Sequence, residues 1–357
     1  MKYSSLLTVR DLDNRKKLGG VGNYYKCLKP YLPNITYQFI GKRYNDNTNI
    51  ILRLLSDYKS IWNALRIKDL MIINPSLNIN CIYRDGISAL ISKKKNKKLI
   101  VFFRGWDPKV EQRAEKSIFL RNWLKHTLLK ADHIIVLSSR FKEKLIEWGY
   151  KKEITIETTL VDENLLNGFD HKHKNVRINN LLFLSAVSKS KGIMEALDAF
   201  YLLKKKNPEL TFHIAGAGKA TLTVKEKINI QRITGVNLLG YITGKDKAKA
   251  FRNADLFLFP SYHEGMPNAV LEAMAFGLPV ITTRVGGLPD FFEDGKMGLF
   301  LDNHDPAHIA EKIQYLLDRP GMMQQMSEYN YHYAKDRFYA SKVAKRLEAI
   351  IATVANS

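Results

Sequence analysis

Residues 254–283 read ADLFLFPSYHEGMPNAVLEAMAFGLPVITT, and their pattern is strand, loop, helix, strand. Leu256 to Phe259 is a continuous apolar run, as expected of a strand buried on both faces, and Leu278 to Thr283 is a second one. Between them Pro267 suits the start of a helix, where its missing N–H costs nothing, and Gly277 suits its left-handed stop. A unit of this length implies a parallel, right-handed crossover.

Two carboxylates stand out in this unit. Glu264 lies in the loop before the helix and Glu272 in its second turn, roughly 7–8 Å along the axis from the start. The open N–H groups at that start, from about Gly265 to Ala269, make an anion seat. An ionised carboxylate accepts two hydrogen bonds side by side and so fits a vicinal diol. Diol, phosphate, diol is the outline of a nucleotide sugar.

The segment HEGMPNAVLEAMAFGLPVITTRVGGLPD resembles the E-x7-E signature of retaining, family-four glycosyltransferases of the GT-B fold. Glu264, Gly265, Pro267, Glu272, Ala273, Gly277, Pro279, Val280, Gly286, Gly287 and Pro289 all fall in place. The resemblance implies an α/β protein of two Rossmann-like domains facing a central cleft, with the donor on the second domain and the acceptor mainly on the first. It implies that Glu264 contacts the transferred sugar and Glu272 the ribose. Met266 and Asn268, with Gly265 and Pro267, belong to the donor-binding helix start.

A chain of 357 residues exceeds what one hydrophobic core usually serves, so two domains are expected. The expected division is an acceptor domain over 1–170, a linker over 171–180 and a donor domain over 181–336. A C-terminal helix at about 337–357 is expected to pack back on the first domain. No apolar run reaches a membrane span, and the N-terminus is too short in apolar residues for a signal peptide. Cys27 and Cys81 have no metal or disulfide spacing, which fits a reducing cytosol. The formal charge is +21, and residues 1–180 carry 34 Lys and Arg against 17 Asp and Glu, whereas 181–357 carry 22 against 18. Such a field attracts anionic lipid, nucleic acid or a phosphorylated acceptor. No nucleic-acid module is legible, and the basic clusters lack interleaved aromatics.

Along the chain, residues 4–10 suit a first strand. Gly19, Gly20 and Gly22 then form a glycine loop ahead of an apolar helix, which serves either a turn or a phosphate. Its place resembles the family's diphosphate-facing loop, which points to Gly20. Leu99 to Phe103 is a buried strand with Arg104 at its carboxyl end, where open α/β sheets place ligands. The family usually has a histidine there, so Arg104 is a departure that still brings a fixed cation. Residues 109–130 suit one helix with Ile118, Phe119, Trp123, Leu124 and Leu128 on one side. That helix either packs on the sheet or lies on an anionic membrane. Gly168 to Asn180 suits a linker, with His171 and His173 as linker residues. In the second domain Lys191 falls on the family's phosphate-gripping lysine, but Ala186 stands where it has an arginine. Lys189 or Arg104 is then the substitute charge. Gly216 matches the family's strand that borders the nucleotide, and the resemblance makes Tyr241 and Ile242 candidate base contacts. Residues 306–318 and 322–354 suit helices.

The expected activity is retaining transfer of a hexosyl unit from a UDP- or GDP-sugar to a saccharide or lipid-linked saccharide in surface polysaccharide synthesis. Glu264, Lys191 and Arg104 are the expected catalytic residues, without cofactor or metal. A transferase-like pseudoenzyme and a GT-B nucleotide-sugar epimerase are the alternatives. The expected location is the cytoplasm, with peripheral contact at the inner face of the cell membrane as a further reading of the basic first half.

Overall fold

The structure is a computed structural model, and it describes residues 4–9, 20–41, 49–171 and 179–357. The chain forms two compact units, Met1–Thr159 with Ala340–Ser357, and Leu160–Tyr339. Residues 172–178 of the expected linker lie outside the described residues.

The first unit carries β1 (Ser5–Val9), α1 (Gly20–Leu28), β2 (Ile35–Phe39), α2 (Ile50–Ala64), β3 (Leu70–Ile73), β4 (Ser76–Leu77) and α3 (Ile79–Lys94). It continues through β5 (Lys98–Phe102), β6 (Gly105–Trp106), α4 (Pro108–Lys116), α5 (Ile118–His126), β7 (His133–Val136), α6 (Ser139–Glu147) and β8 (Ile154–Ile156). Its six-stranded sheet has the order β2-β1-β3-β5-β7-β8, all parallel. Leu99 to Phe103 and Ile134 to Leu137 are buried throughout, as a strand covered on both faces requires. A short parallel ladder, Ser76 with Gly105 and Leu77 with Trp106, fixes the segment that follows β5.

The second unit carries β9 (Asn180–Leu184), α7 (Ile193–Lys204), β10 (Thr211–Ala215), α8 (Thr221–Ile230), β11 (Val236–Gly240), α9 (Gly244–Asn253) and β12 (Leu256–Phe259). It ends with α10 (Asn268–Ala275), β13 (Val280–Thr283), β14 (Gly298–Leu301), α11 (Pro306–Leu317) and α12 (Pro320–Arg337). The sheet order is β11-β10-β9-β12-β13-β14, again all parallel. Phe183, Phe200 and Phe212 are fully buried between this sheet and α7. The last helix, α13 (Ala340–Asn356), belongs to the first unit and packs on α1 and β5. Its Arg346 grips Glu157 through two hydrogen bonds of 2.7 and 3.0 Å.

Four local expectations change. The stretch 109–130 is two helices, because Ser117 is extended and its hydroxyl accepts from Leu120 N, capping α5. The new start turns Ile118 and Phe119 outward, 72% and 73% exposed, while Leu120 and Leu124 are buried. The helical run from 322 likewise stops at Arg337 and resumes at Ala340. Between them buried Phe338 gives its carbonyl to Val161 N. Gly20 opens α1 and Gly22 is buried inside it, so neither is in a loop; Gly19 lies outside the described residues. His171 is packed into the second unit, its Nε2 3.0 Å from Ser327 Oγ and its ring stacked on Tyr331. His173 lies outside the described residues.

One close approach in the second unit governs the turn from β9 to α7. Gly192 has φ +72°, and a Cβ there would overlap the Pro260 carbonyl. Gly295 has φ +79° but open space around it. Gly295→Ala is therefore expected to cost about 1–2 kcal/mol, the left-handed strain alone. Gly192→Ala should cost clearly more in a thermal melt followed by circular dichroism. All four tryptophans, at 62, 106, 123 and 148, lie in the first unit, so their fluorescence reads that unit. Arg346→Ala strands the buried Glu157 and should lower the tryptophan-detected denaturation free energy by about 3 kcal/mol.

Candidate active site

The loop Pro260–Pro267 joins β12 to α10 and is clasped from both sides. On one side Tyr262 N donates to Ser190 O at 3.0 Å, beside the turn that Gly192 closes. On the other, Gly287 N donates to Gly265 O at 2.8 Å, and Thr283 Oγ1 donates to Ser261 O. Gly286 has φ +57°, and a Cβ there would overlap the Gly265 carbonyl. The glycines flanking the motif thus serve two backbone approaches that no side chain would permit.

This clasp places Lys191 against Glu264. Lys191 Nζ is 2.6 Å from Glu264 Oε1, and Ser261 Oγ donates to the same oxygen at 3.1 Å. Lys191 also reaches His263 O at 3.4 Å. Both side chains are partly exposed, Glu264 at 14% and Lys191 at 23%, so the pair is open to a ligand. Directly behind it α10 begins. Its cap residue is Pro267, and no side chain caps the first turn. The leading amides are therefore not occupied by the helix's own side chains, and the macrodipole favours an anion there. Met266 and Pro267 are buried at this mouth, while Gly265 and Asn268 are half-buried.

Glu272 lies one turn deeper, 7% exposed, and meets a different cation. Lys247 of α9 donates to its Oε1 at 2.7 Å. Oε2 is 2.6 Å from the same nitrogen but is not aligned as a hydrogen-bond acceptor, and it is buried with no other partner. Burial pushes the Glu272 carboxyl above the usual range; Lys247 pulls it down and Asp162 adds a smaller upward push. A buried carboxylate oxygen with spare lone pairs is suited to receive a hydroxyl.

The remaining sequence candidates are more scattered. Lys189 shares the turn of Lys191 but is exposed, as is Ala186. Gly216 follows β10 and donates its N–H to Gly240 O at 2.7 Å, which ties the ends of β10 and β11. Tyr241 is 75% exposed and Ile242 half-buried after β11. Gly20 and Arg104 belong to the first unit. Gly20 is exposed at the start of α1. Arg104 stands between β5 and β6 with its guanidinium 3.7 Å from the Tyr24 ring centre. Sequence reasoning missed Lys247 and Ser261. Lys245, Lys247 and Lys249 alternate in one polar segment, and only the packing of Ala248 and Phe251 reveals which of them is turned toward α10. Among the described residues no cluster of three or more His, Cys, Asp or Glu could hold a metal ion.

Residues 169–333 match the family model of glycosyl transferases group 1. Over 331 residues the chain is 25% identical to an uncharacterized glycosyltransferase of Methanocaldococcus jannaschii, covering 89% of this chain and 90% of that one. It is 24% identical over 241 residues to a capsular polysaccharide biosynthesis glycosyltransferase of Staphylococcus aureus, covering 67% of this chain and 62% of that one. It is 29% identical over 177 residues to a D-inositol 3-phosphate glycosyltransferase of Corynebacterium diphtheriae, covering 48% and 41%. The solved structure of Anabaena HepE with UDP and glucose superposes with a TM-score of 0.73 at 14% identity, covering 98% of this chain and all of that one. Sucrose-phosphate synthase from Thermosynechococcus elongatus gives 0.72 at 16% identity over the whole of both chains. The chain is a glycosyltransferase of the GT-B fold, and its likeness to glycosyl transferases group 1 lies in residues 169–333.

Proposed function

We propose that the protein is a retaining transferase that takes a hexosyl unit from a nucleoside diphosphate sugar, UDP- or GDP-linked, and passes it to a saccharide or lipid-linked saccharide of a surface polysaccharide. The observation that carries this is the Lys191–Glu264 pair at an uncapped helix mouth, with the buried Glu272 carboxylate one turn behind. Breaking a glycosyl–phosphate bond leaves negative charge on the diphosphate and positive charge on the anomeric carbon. In this proposal Lys191 and the leading amides of α10 take up the first, as fixed donors that need no reorganisation. Glu264, once a phosphate competes for Lys191, faces the sugar. Glu272 receives the ribose hydroxyls and Lys247 holds it in place. The saccharide names among the relatives, capsular polysaccharide and inositol phosphate, support a sugar-like acceptor.

Turnover with a nucleotide sugar decides it. The nucleoside diphosphate that raises the melting temperature most names the base. Lys191→Met and Glu264→Gln are each expected to lower kcat about a hundredfold or more. Glu272→Gln should act mainly on the donor KM. Binding without turnover would leave a pseudoenzyme. No metal has a part in these steps, so the rate is expected to survive a chelator.

The raised carboxyl of Glu272 gives a pH signature. Its folded value lies above its unfolded value, so its contribution to stability is complete at low pH and is lost as pH rises through the folded value. Donor binding runs the opposite way, because only the ionised form accepts both ribose hydroxyls. Donor affinity should therefore fall as pH is lowered from neutral through that raised value, and the fall should flatten in Glu272→Gln.

The first unit also favours contact with an anionic membrane. Ile51, Leu52 and Leu55 in the first turns of α2, and Ile118 and Phe119 at the start of α5, are all at least 60% exposed. Both helices pack beside α3 on one layer. α2 follows β2, so its start lies at the carboxyl edge of the parallel sheet, while α5 follows α4. Lysine and arginine surround them in the basic half of the chain. Vesicles with anionic lipid should sediment with the protein more strongly than neutral ones; equal binding would remove this contact.

A further inference from the structure

In the first unit the buried carboxylates of Asp85, Glu111 and Glu157 each hold a guanidinium, from the half-buried Arg84 and Arg346 and the exposed Arg140. Arg84 is 2.7 Å from Asp85, Arg140 is 2.8 Å from Glu111, and Arg346 is bidentate on Glu157. Arg104 is the exception. Its Nε and Nη1 are buried without an aligned hydrogen-bond partner, and no ion pair to it occurs among the described residues. Its guanidinium lies over the rings of Tyr24, at 3.7 Å, and Phe102, at 4.3 Å, which holds its plane fixed. Its backbone is fixed too, since Arg104 N donates to Pro75 O at 2.8 Å.

The Tyr24 hydroxyl beside it is also buried without an aligned partner. Burial pushes Tyr24 up to about 12 while Arg104 pulls the other way, so at neutral pH the hydroxyl is a donor. Neighbouring groups are already used. Tyr25 donates to Asn74, whose amide donates to Thr8 O at 3.1 Å. Glu157, close enough to Tyr24 to raise it, is taken by Arg346. Arg104 follows β5 at the carboxyl edge of a parallel sheet, where ligands of such sheets bind.

We propose that Arg104 and Tyr24 form an oxyanion receptor in the first unit, and that the acceptor sugar carries the phosphate or carboxylate it binds. This assignment to the acceptor rests on the transferase activity proposed above. The second unit has its own cation and helix mouth for the donor diphosphate. A second, uncompensated guanidinium in the basic half of the chain calls for a second anion. Desolvated donors that a ligand must satisfy also discriminate strongly against the neutral analogue.

The test uses the full chain with its donor seat filled by the best-stabilising nucleoside diphosphate. Glucose 6-phosphate, glucuronate and glucose are titrated and read by thermal shift. A saturable response to the phosphate, the carboxylate or both, with none to glucose, is expected. The arm that responds identifies the group. Arg104→Met should weaken that response about tenfold to a hundredfold, the range for a hydrogen bond to a charged group. Tyr24→Phe should weaken it severalfold. Circular dichroism spectra and ligand-free melts like those of the unsubstituted protein show that both variants are folded. Equal responses to all three sugars, a response unchanged in Arg104→Met, or one that vanishes when nucleotide is present overturns the proposal. Should no nucleoside diphosphate stabilise the protein, the transferase reading itself fails. The anion arms are then scored without nucleotide, so the two failures stay distinct.

Discussion

The approach of two backbone turns to the loop Pro260–Gly265 is the constraint on which the second unit depends. Gly192 lets the β9–α7 turn lie against the Pro260 carbonyl, and Gly286 lets the turn after β13 lie against the Gly265 carbonyl. Each approach is a van der Waals limit that a single Cβ would violate. Once both are made, little freedom remains. Lys191 comes from one side, Glu264 from the clasped loop, and α10 leaves the loop with no side chain capping its first turn. The site is therefore built on the ends of β9 and β12, neighbours in the sheet and fully buried along most of their length. Precision at the pair comes from the rigidity of those strands.

Charge in this region is arranged as two separate lysine–carboxylate contacts. Lys191–Glu264 is partly open to water, so competition from a phosphate for Lys191 is inexpensive. Lys247–Glu272 is more buried, and exchanging its partner would strand a charge. The first contact suits a group that must change partners during turnover. The second suits one that stays ionised and fixed in place. One lysine serving both carboxylates could not divide those tasks.

Much of this was legible in the sequence because buried parallel strands and glycine turns are local signals. The runs at 99–103 and 256–259 are strands, Gly277 ends α10 with the double hydrogen bond of a helix stop, and Glu264 and Lys191 meet. What was not legible depended on partners far away in the chain. The break at Ser117 competes with a strong helical period, and a serine hydroxyl in mid-pattern does not announce that it will cap. His171 looked like linker because its partners, Ser327 and Tyr331, lie some 160 positions later. Lys247 is one of three alternating lysines, and only α10 packed beside it selects one.

The departures from the family pattern at Ala186 and Arg104 can be weighed on the same physical footing. Loss of an arginine at 186 removes a cation from an exposed turn that keeps Lys189 and Lys191, so local positive charge persists there. The change at 104 is of a different kind. A neutral histidine can be satisfied by one donor and one acceptor, whereas a guanidinium brings five donors and a permanent charge. Ser5 and Tyr37 also bury unpartnered hydroxyls, but an unmet neutral group costs far less than an unmet ion. Glu195 and Glu272 each have one oxygen without an aligned donor, yet each has a partner on the other. Among the described residues the Arg104 Nε and Nη1 have neither an ion pair nor an aligned hydrogen bond, and two aromatic rings hold the group in plane. A fold that pairs its neighbouring guanidinium groups and leaves this one unmet has reserved it for a charge that arrives from outside.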